Sequence, residues 1–251
     1  MLLHHTVSGS GPAVLLLHST AGDSRQWDPQ RDALAVERTV VTPDLRGYGR
    51  SPLPPEPYSD VEDVLRVLDS LGIVTTAVVG SSGGGHVALQ LASAAPERVT
   101  ALVLLCAAAP GVERTPDVRA FGEAEEALLE QGDVEAATEL NVRTWLGPDA
   151  GDAARELLRT MQRHAFEVQL AAGEAAAGRD VDVDLARVAA PTTVVCGRHD
   201  LDFFAAVARH LVAGLPAVEY VELAWAGHLP NLERPDETTA LIRRAITRAD
   251  R

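Results

Sequence analysis

A β-branched run, Ala77-Val78-Val79, leads straight into Gly80-Ser81-Ser82-Gly83-Gly84, and a small-residue helical pattern begins at once with Gly85-His86-Val87-Ala88-Leu89. The spacing predicts a strand, a tight turn and a helix, with Ser82 at the apex. Gly80 and Gly84 let strand and helix approach without Cβ clashes. The Ser82 hydroxyl then stands clear above a helix N-terminus, whose free N–H groups favour developing negative charge. A serine hydroxyl is a poor nucleophile until its surroundings activate it, so this turn matters only if a base and an acid accompany it. Phosphate cradling is the competing reading of such glycines. A phosphate loop needs Lys-Ser/Thr after its last glycine, and here His86-Val87 follows Gly85. A dinucleotide fingerprint would open the first strand–helix unit, but two strand-like runs precede this one.

Where a nucleophilic serine sits on such a turn, the acid and then the base follow it along the chain. The strand-like run Thr192-Thr193-Val194-Val195-Cys196-Gly197 ends in Arg198-His199-Asp200. Asp200 is the favoured acid, because a loop at that strand end can aim it across a sheet. Asp202 is the rival, better suited to capping the next helix. The alternating segment Val218–Leu223 runs into Gly227-His228-Leu229-Pro230, which places His228 in a loop as the base. Early in the chain, Val14-Leu15-Leu16-Leu17 leads into His18-Ser19-Thr20. This loop and the residue after the nucleophile are where oxyanion donors are expected, which nominates the N–H groups of Thr20 and Gly83. His18 is expected to brace the loop.

With these residues in order, the chain resembles the α/β-hydrolase superfamily, in particular small esterases, enol-lactonases and cofactor-free haloperoxidases. The likeness covers nearly the whole chain. It includes Leu16-Leu17-His18, Asp44-Leu45-Arg46-Gly47-Tyr48-Gly49-Arg50-Ser51-Pro52, the Ser82 turn, Pro96-Glu97-Arg98-Val99 and Gly227-His228-Leu229-Pro230-Asn231-Leu232-Glu233-Arg234-Pro235. The resemblance implies a mostly parallel central sheet flanked by helices, with a helical cap inserted. It also implies that Cys106 and Cys196 end neighbouring strands. Two departures stand out. Ser19 replaces the glycine usual after the loop histidine, so its N–H or hydroxyl is a second candidate for the oxyanion hole. Ser81 is smaller than its usual counterpart, which leaves room beside the nucleophile.

The 251 residues suit one α/β domain with an insertion. Residues 1–115 and 186–251 read as the core, and 116–185 as the cap. In that block Ala and Glu dominate, and helices are expected over Arg119–Gln131, Val134–Leu146 and Ala153–Ala172. Further helices are expected at Trp27–Ala35, Tyr58–Leu71, Asp202–Ala213 and Asp236–Ala249, and Asp44 with Arg46 reads as an ion pair pinning a turn. A cap of this kind selects substrate. Its side chains Trp145 and His164, with Ser19 and Leu229 from the core, are the substrate-contact candidates.

A net charge of −14 argues against nucleic acid and anionic membranes as partners. No apolar run reaches membrane-spanning length and the N-terminus lacks a leader pattern, so the expected location is cytoplasmic. Reduced, buried thiols are expected at Cys106 and Cys196. No Cys/His cluster has metal-ligand spacing, so neither metal nor cofactor is expected. The reading is a Ser-His-Asp hydrolase of a small or medium ester or lactone, as monomer or homodimer. A thioesterase or acyltransferase, a perhydrolase, a cyclase or lyase, and a ligand-binding protein are the alternatives on this fold.

Overall fold

The computed structural model describes residues 1–172 and 177–249. Seven strands form one sheet: β1 (His5–Ser8), β2 (Ala13–Leu17), β3 (Thr39–Pro43), β4 (Thr76–Ser81), β5 (Val99–Leu105), β6 (Thr192–Gly197) and β7 (Val218–Leu223). Their order is β1-β3-β2-β4-β5-β6-β7. Only the β1–β3 pair among these is antiparallel. Strands β2 to β7 therefore all point their C-terminal ends to one edge, where loops can gather chemistry from distant parts of the chain.

The strands are apolar on both faces because helices cover both. Leu15, Leu17, Val78, Leu102, Leu104 and Val194 face one layer, built by α2 (Asp60–Ser70), α3 (Gly83–Ala94) and α7 (Asp202–Gly214). Their sequence neighbours Val14, Leu16, Val79, Val103 and Val195 face the other, where α1 (Asp28–Leu34) and α9 (Pro235–Ala249) contribute Leu34, Ile242 and Ile246. The period of two along each strand divides the core in this way. A short α8 (Pro230–Glu233) precedes α9.

Between β5 and β6 run α4 (Pro116–Glu130), α5 (Val134–Trp145) and α6 (Asp152–Ala171). They share a separate apolar cluster in which Val142, Trp145, Leu158 and Met161 meet Ala21, Phe204 and Leu229. Of the expected cap block, residues 173–176 lie outside the described residues.

Two local expectations are corrected. The second helix begins at Asp60, with Ser59 as its N-cap. Tyr58 instead forms a bridge to Gly178, and its carbonyl accepts from Arg179 N–H at 2.7 Å. Arg46 does not pair with Asp44. Its guanidinium grips Asp63 of α2 through Nε at 2.8 Å and Nη2 at 3.2 Å, both side chains being buried. Asp44 accepts from Ser24 N–H, Arg50 N–H and His4 Nδ1 at 2.9, 3.0 and 3.1 Å. A carboxylate with three donors of its own satisfies itself locally, and the buried guanidinium takes the helix acid that faces it.

Candidate active site

Ser82 occupies the turn between β4 and α3 with φ 52° and ψ −118°, a conformation that L residues rarely adopt. The turn is held from both sides. Ser82 N–H donates to Leu105 O at 3.0 Å, and Ser82 O accepts from Ala108 N–H at 3.1 Å. A Cβ on Gly80 would collide with the Gly84 carbonyl, and one on Gly84 with the Leu17 and His18 carbonyls. The close approach expected at these two glycines is therefore present. Ser81, the last residue of β4, is wholly buried, and its hydroxyl has no hydrogen-bond partner.

Thr20 lies beside this turn. A Cβ built on Gly83 would stand 2.5 Å from Thr20 Cγ2 and 3.7 Å from Thr20 N, so Thr20 packs directly against the first residue of α3. Ser19 is engaged elsewhere. Its N–H and its hydroxyl both donate to Gln26 Oε1, at 3.0 and 2.9 Å, and the residue is 1 % exposed. Neither group is left for an oxyanion or a substrate, which corrects that candidate. His18 braces the loop as expected. Its Nδ1 meets Ser19 O at 2.8 Å, and Nε2 accepts from Leu45 N–H at 2.9 Å. Burial pushes its pKa down, so it stays neutral and can accept as well as donate.

Asp200 and His228 come from the loops after β6 and β7. Asp200 Oδ2 lies 2.7 Å from His228 Nδ1, and Asp200 Oδ1 accepts from Leu201 N–H at 2.7 Å. The carboxylate accepts, so Nδ1 is the donor of this contact. Asp202, the rival acid, is the exposed first residue of α7, and its N–H donates to Asp117 Oδ2 at 2.6 Å. The β6 and β7 loops brace each other through His199 N–H to Ala226 O at 2.9 Å. Glu233 fixes the His228 loop by accepting from Gly227 N–H at 2.9 Å and Gly147 N–H at 3.1 Å, and its own burial raises its pKa.

Trp145 does meet this group. Its carbonyl accepts from His228 N–H at 2.9 Å, and its ring centroid lies 4.6 Å from the imidazole. Phe204 approaches the imidazole at 4.0 Å. Leu229 is fully buried in the apolar cluster around Trp145. His164 is directed elsewhere, a second correction: Nε2 contacts Gly49 O at 2.9 Å. It lines a cavity of about 570 Å³ with His4, Arg25, Arg50 and Arg163, to which none of Ser82, Asp200 or His228 contributes. A polar group in helix α6 is thus satisfied by the neighbouring loop carbonyl.

Cys106, just past the end of β5, and Cys196, in the neighbouring β6, are buried and unbridged. Cys106 was not singled out from sequence as a site residue, yet its sulfur lies within 4.8 Å of donor atoms of Asp200 and His228. Burial, and then the Asp200 charge, push its thiol well above the ordinary range. These three side chains form the metal-capable group found among the described residues. Two ligands of one tetrahedral zinc stand roughly 3.3 Å apart given Zn–N and Zn–O bonds near 2.0–2.1 Å. The 2.7 Å contact of Asp200 with His228 is instead the length of a hydrogen bond. Gln26 and Asn231 were also missed: Gln26 Nε2 donates to Asn231 Oδ1 at 3.3 Å and Asn231 Nδ2 to Gln26 O at 3.0 Å. This buried exchange ties the Ser19 loop to the His228 loop. Asn231 stands in the same run as His228, but nothing in spacing announces its partner.

The profile described as "Alpha/beta hydrolase family" matches residues 14–241. The protein named "Putative carbamate hydrolase RutD" of Caulobacter segnis is 32% identical over 236 residues, 87% of this chain and 85% of that one. Among solved structures, a hydrolase from Pseudomonas aeruginosa is 29% identical with a TM-score of 0.79, covering 96% of this chain and 93% of its own. The enol-lactonase from Burkholderia xenovorans is 26% identical with a TM-score of 0.80, covering 98% and 96%.

Proposed function

The chain belongs to the alpha/beta hydrolase family, and on that footing we propose that it is a serine hydrolase of carboxylic esters or lactones. The observation that carries the reading is the buried Asp200–His228 hydrogen bond of 2.7 Å, formed at the sheet edge that also holds the strained Ser82 turn. Such a pair costs ordering and desolvation, and its established use is to hold an imidazole as a base.

In the reaction, Ser82 Oγ attacks the carbonyl carbon while its proton passes to His228 Nε2. The carbonyl electron pair moves to oxygen, where Gly83 and Thr20 N–H groups receive it. Each such donor contributes about 10²–10³ in rate. The intermediate collapses, the carbon–oxygen bond to the leaving group breaks, and His228 protonates the departing alkoxide. In a lactone that alkoxide stays tethered as the hydroxyl of a hydroxyacyl-serine. Water then gives a proton to His228 and attacks the acyl carbon. Collapse releases the acid and returns the proton to Ser82. Helices α4–α6 act as the cap, and no cofactor takes part. The similarity to an enol-lactonase supports including lactones, and the similarity to a protein named for carbamates adds those to the substrate panel.

Intact mass after treatment with a fluorophosphonate tests the reading. One adduct on wild type, absent from Ser82→Ala, is the expected result. A folded wild type that takes no adduct overturns it.

A further inference from the structure

The base of this site is gripped by a chain of contacts that starts in the cap. Asn141 Nδ2 donates to Glu125 Oε1 at 2.5 Å and to Ala137 O at 3.0 Å. Trp145 Nε1 donates to Asn141 Oδ1 at 2.6 Å. Trp145 holds His228 twice, by its carbonyl on the backbone and by its ring at 4.6 Å and 40°. Phe204 lies against the imidazole at 4.0 Å and 48°. Phe121 packs edge-on to Trp145 at 4.5 Å.

Each link has a chemical direction. Glu125 and Ala137 O only accept, so they turn the Asn141 amide with its NH₂ toward them and its oxygen toward the indole. The indole has one donor, and with Trp145 only 8 % exposed that donor needs an acceptor to be buried at low cost. Asn141 and Trp145 are one helical turn apart on α5, so they meet without distorting it.

The imidazole shows why this matters. The imidazole hinges about its Cβ–Cγ bond; the hydrogen bond at Nδ1 resists that hinge at one edge of the ring, and any turn carries along Nε2, the atom that takes the Ser82 proton in the proposed reaction. Aromatic rings against the imidazole stop that hinge, and they also attract the imidazolium formed when the proton is taken. We propose that Glu125, Asn141 and Trp145 are positioning residues that lock the His228 ring for proton transfer, so that the cap sets the geometry of the base as well as enclosing substrate. The inference rests on the serine-hydrolase reading above.

p-Nitrophenyl acetate separates this role from substrate contact, because its acetyl group is too small to need a cap. Asn141→Leu strands the indole N–H and releases the ring. It is expected to lower kcat on p-nitrophenyl acetate about 10- to 100-fold, the cost of a misplacement near 1 Å, with KM within about twofold. Fluorophosphonate labelling of Ser82 slows by the same factor. Glu125→Leu, on a half-buried helix face, lowers kcat in the same direction. Glu125→Gln, whose amide oxygen can still accept from Asn141, retains wild-type kcat. The Glu125 pair keeps the test open if Asn141→Leu fails to fold.

Unchanged kcat on the small ester in folded Asn141→Leu or Glu125→Leu overturns the inference, whatever happens to melting temperature. So does a loss confined to bulky esters, which would mark a substrate contact. If wild type itself neither labels nor turns over, the serine-hydrolase reading falls first and takes the inference with it.

Discussion

Ser19 spends both of its donors on one atom: its N–H and hydroxyl reach Gln26 Oε1 at 3.0 and 2.9 Å. A residue that looked like a substitute oxyanion donor is a tether for the loop that carries Thr20. Ser19→Gly keeps the backbone tether and loses one hydrogen bond, a cost of about 1 kcal/mol. Its kcat is expected to stay near wild type. Gln26→Leu leaves the two buried Ser19 donors and the Asn231 amide oxygen unpartnered and should cost at least about 3 kcal/mol, with melting temperature falling accordingly. Thermal unfolding and ester kinetics on the two variants check this. Loss of activity in a stable Ser19→Gly would return Ser19 to the oxyanion hole.

Asp200→Asn keeps the shape of the acid but not its preference for an N–H partner, so it lets the imidazole take the wrong tautomer. Turnover is expected to fall by about 10⁴ with little change in melting temperature. The rate of fluorophosphonate labelling should drop in parallel. Near-normal turnover in this variant would pass the acid's role to another carboxylate, and Asp202, exposed and bonded through its N–H to Asp117, is poorly placed to take it.

The parts of the site written in local sequence were the legible ones. A strand–turn–helix motif announces Ser82 because the sharp turn itself demands glycines around it. Asp200 and His228 could be read from strand ends, since a parallel sheet sends every such end to one edge. Long-range pairings were not legible. Arg46 finds Asp63 only after α2 docks, and nothing near Asp44 in sequence signals that its oxygens are already filled. His164 carries no mark that a loop carbonyl will claim it. Cys106, Asn141 and Glu125 reach the site through packing between layers, which residue spacing does not encode. Trp145 was visible as an aromatic of the 116–185 block, but its partner is His228.

The Ser82 backbone, at φ 52° and ψ −118°, stores strain that glycine would not feel. Such conformations cost of order 1–3 kcal/mol, part of which glycine returns through greater unfolded-state entropy. Ser82→Gly is therefore expected to be inactive and about 1 kcal/mol more stable than Ser82→Ala, which keeps the strain. For a chain of this size that is about 2–4 °C in melting temperature. Equal or reversed melting temperatures would show that the turn is relaxed.

Asp60, the first residue of α2, has a buried Oδ1 without a partner. Burial first, then the nearby Asp63 charge, push its pKa up to about 6 against an ordinary 3.8, with Arg46 pulling the other way. The folded protein therefore holds this proton at a pH where the unfolded chain has lost it. Stability from this group falls as pH rises from near 4 to near 6, and the penalty is complete above that. Each tenfold gain in proton affinity is worth about 1.4 kcal/mol, which puts the ceiling on the order of 3 kcal/mol. Asparagine escapes this penalty but gives up roughly 0.3–1 kcal/mol of favourable charge at the helix N-terminus. Asp60→Asn is expected to stabilise the fold by about 1–2 kcal/mol at pH 7.5 and to bring almost no gain near pH 3.5, where the carboxyl is protonated in the folded state and mostly protonated in the unfolded one. Denaturant unfolding of both proteins at the two pH values measures the difference. A gain that is the same at both would trace it to packing, and a loss at pH 7.5 would mean that the Asp60 charge is welcome where it stands.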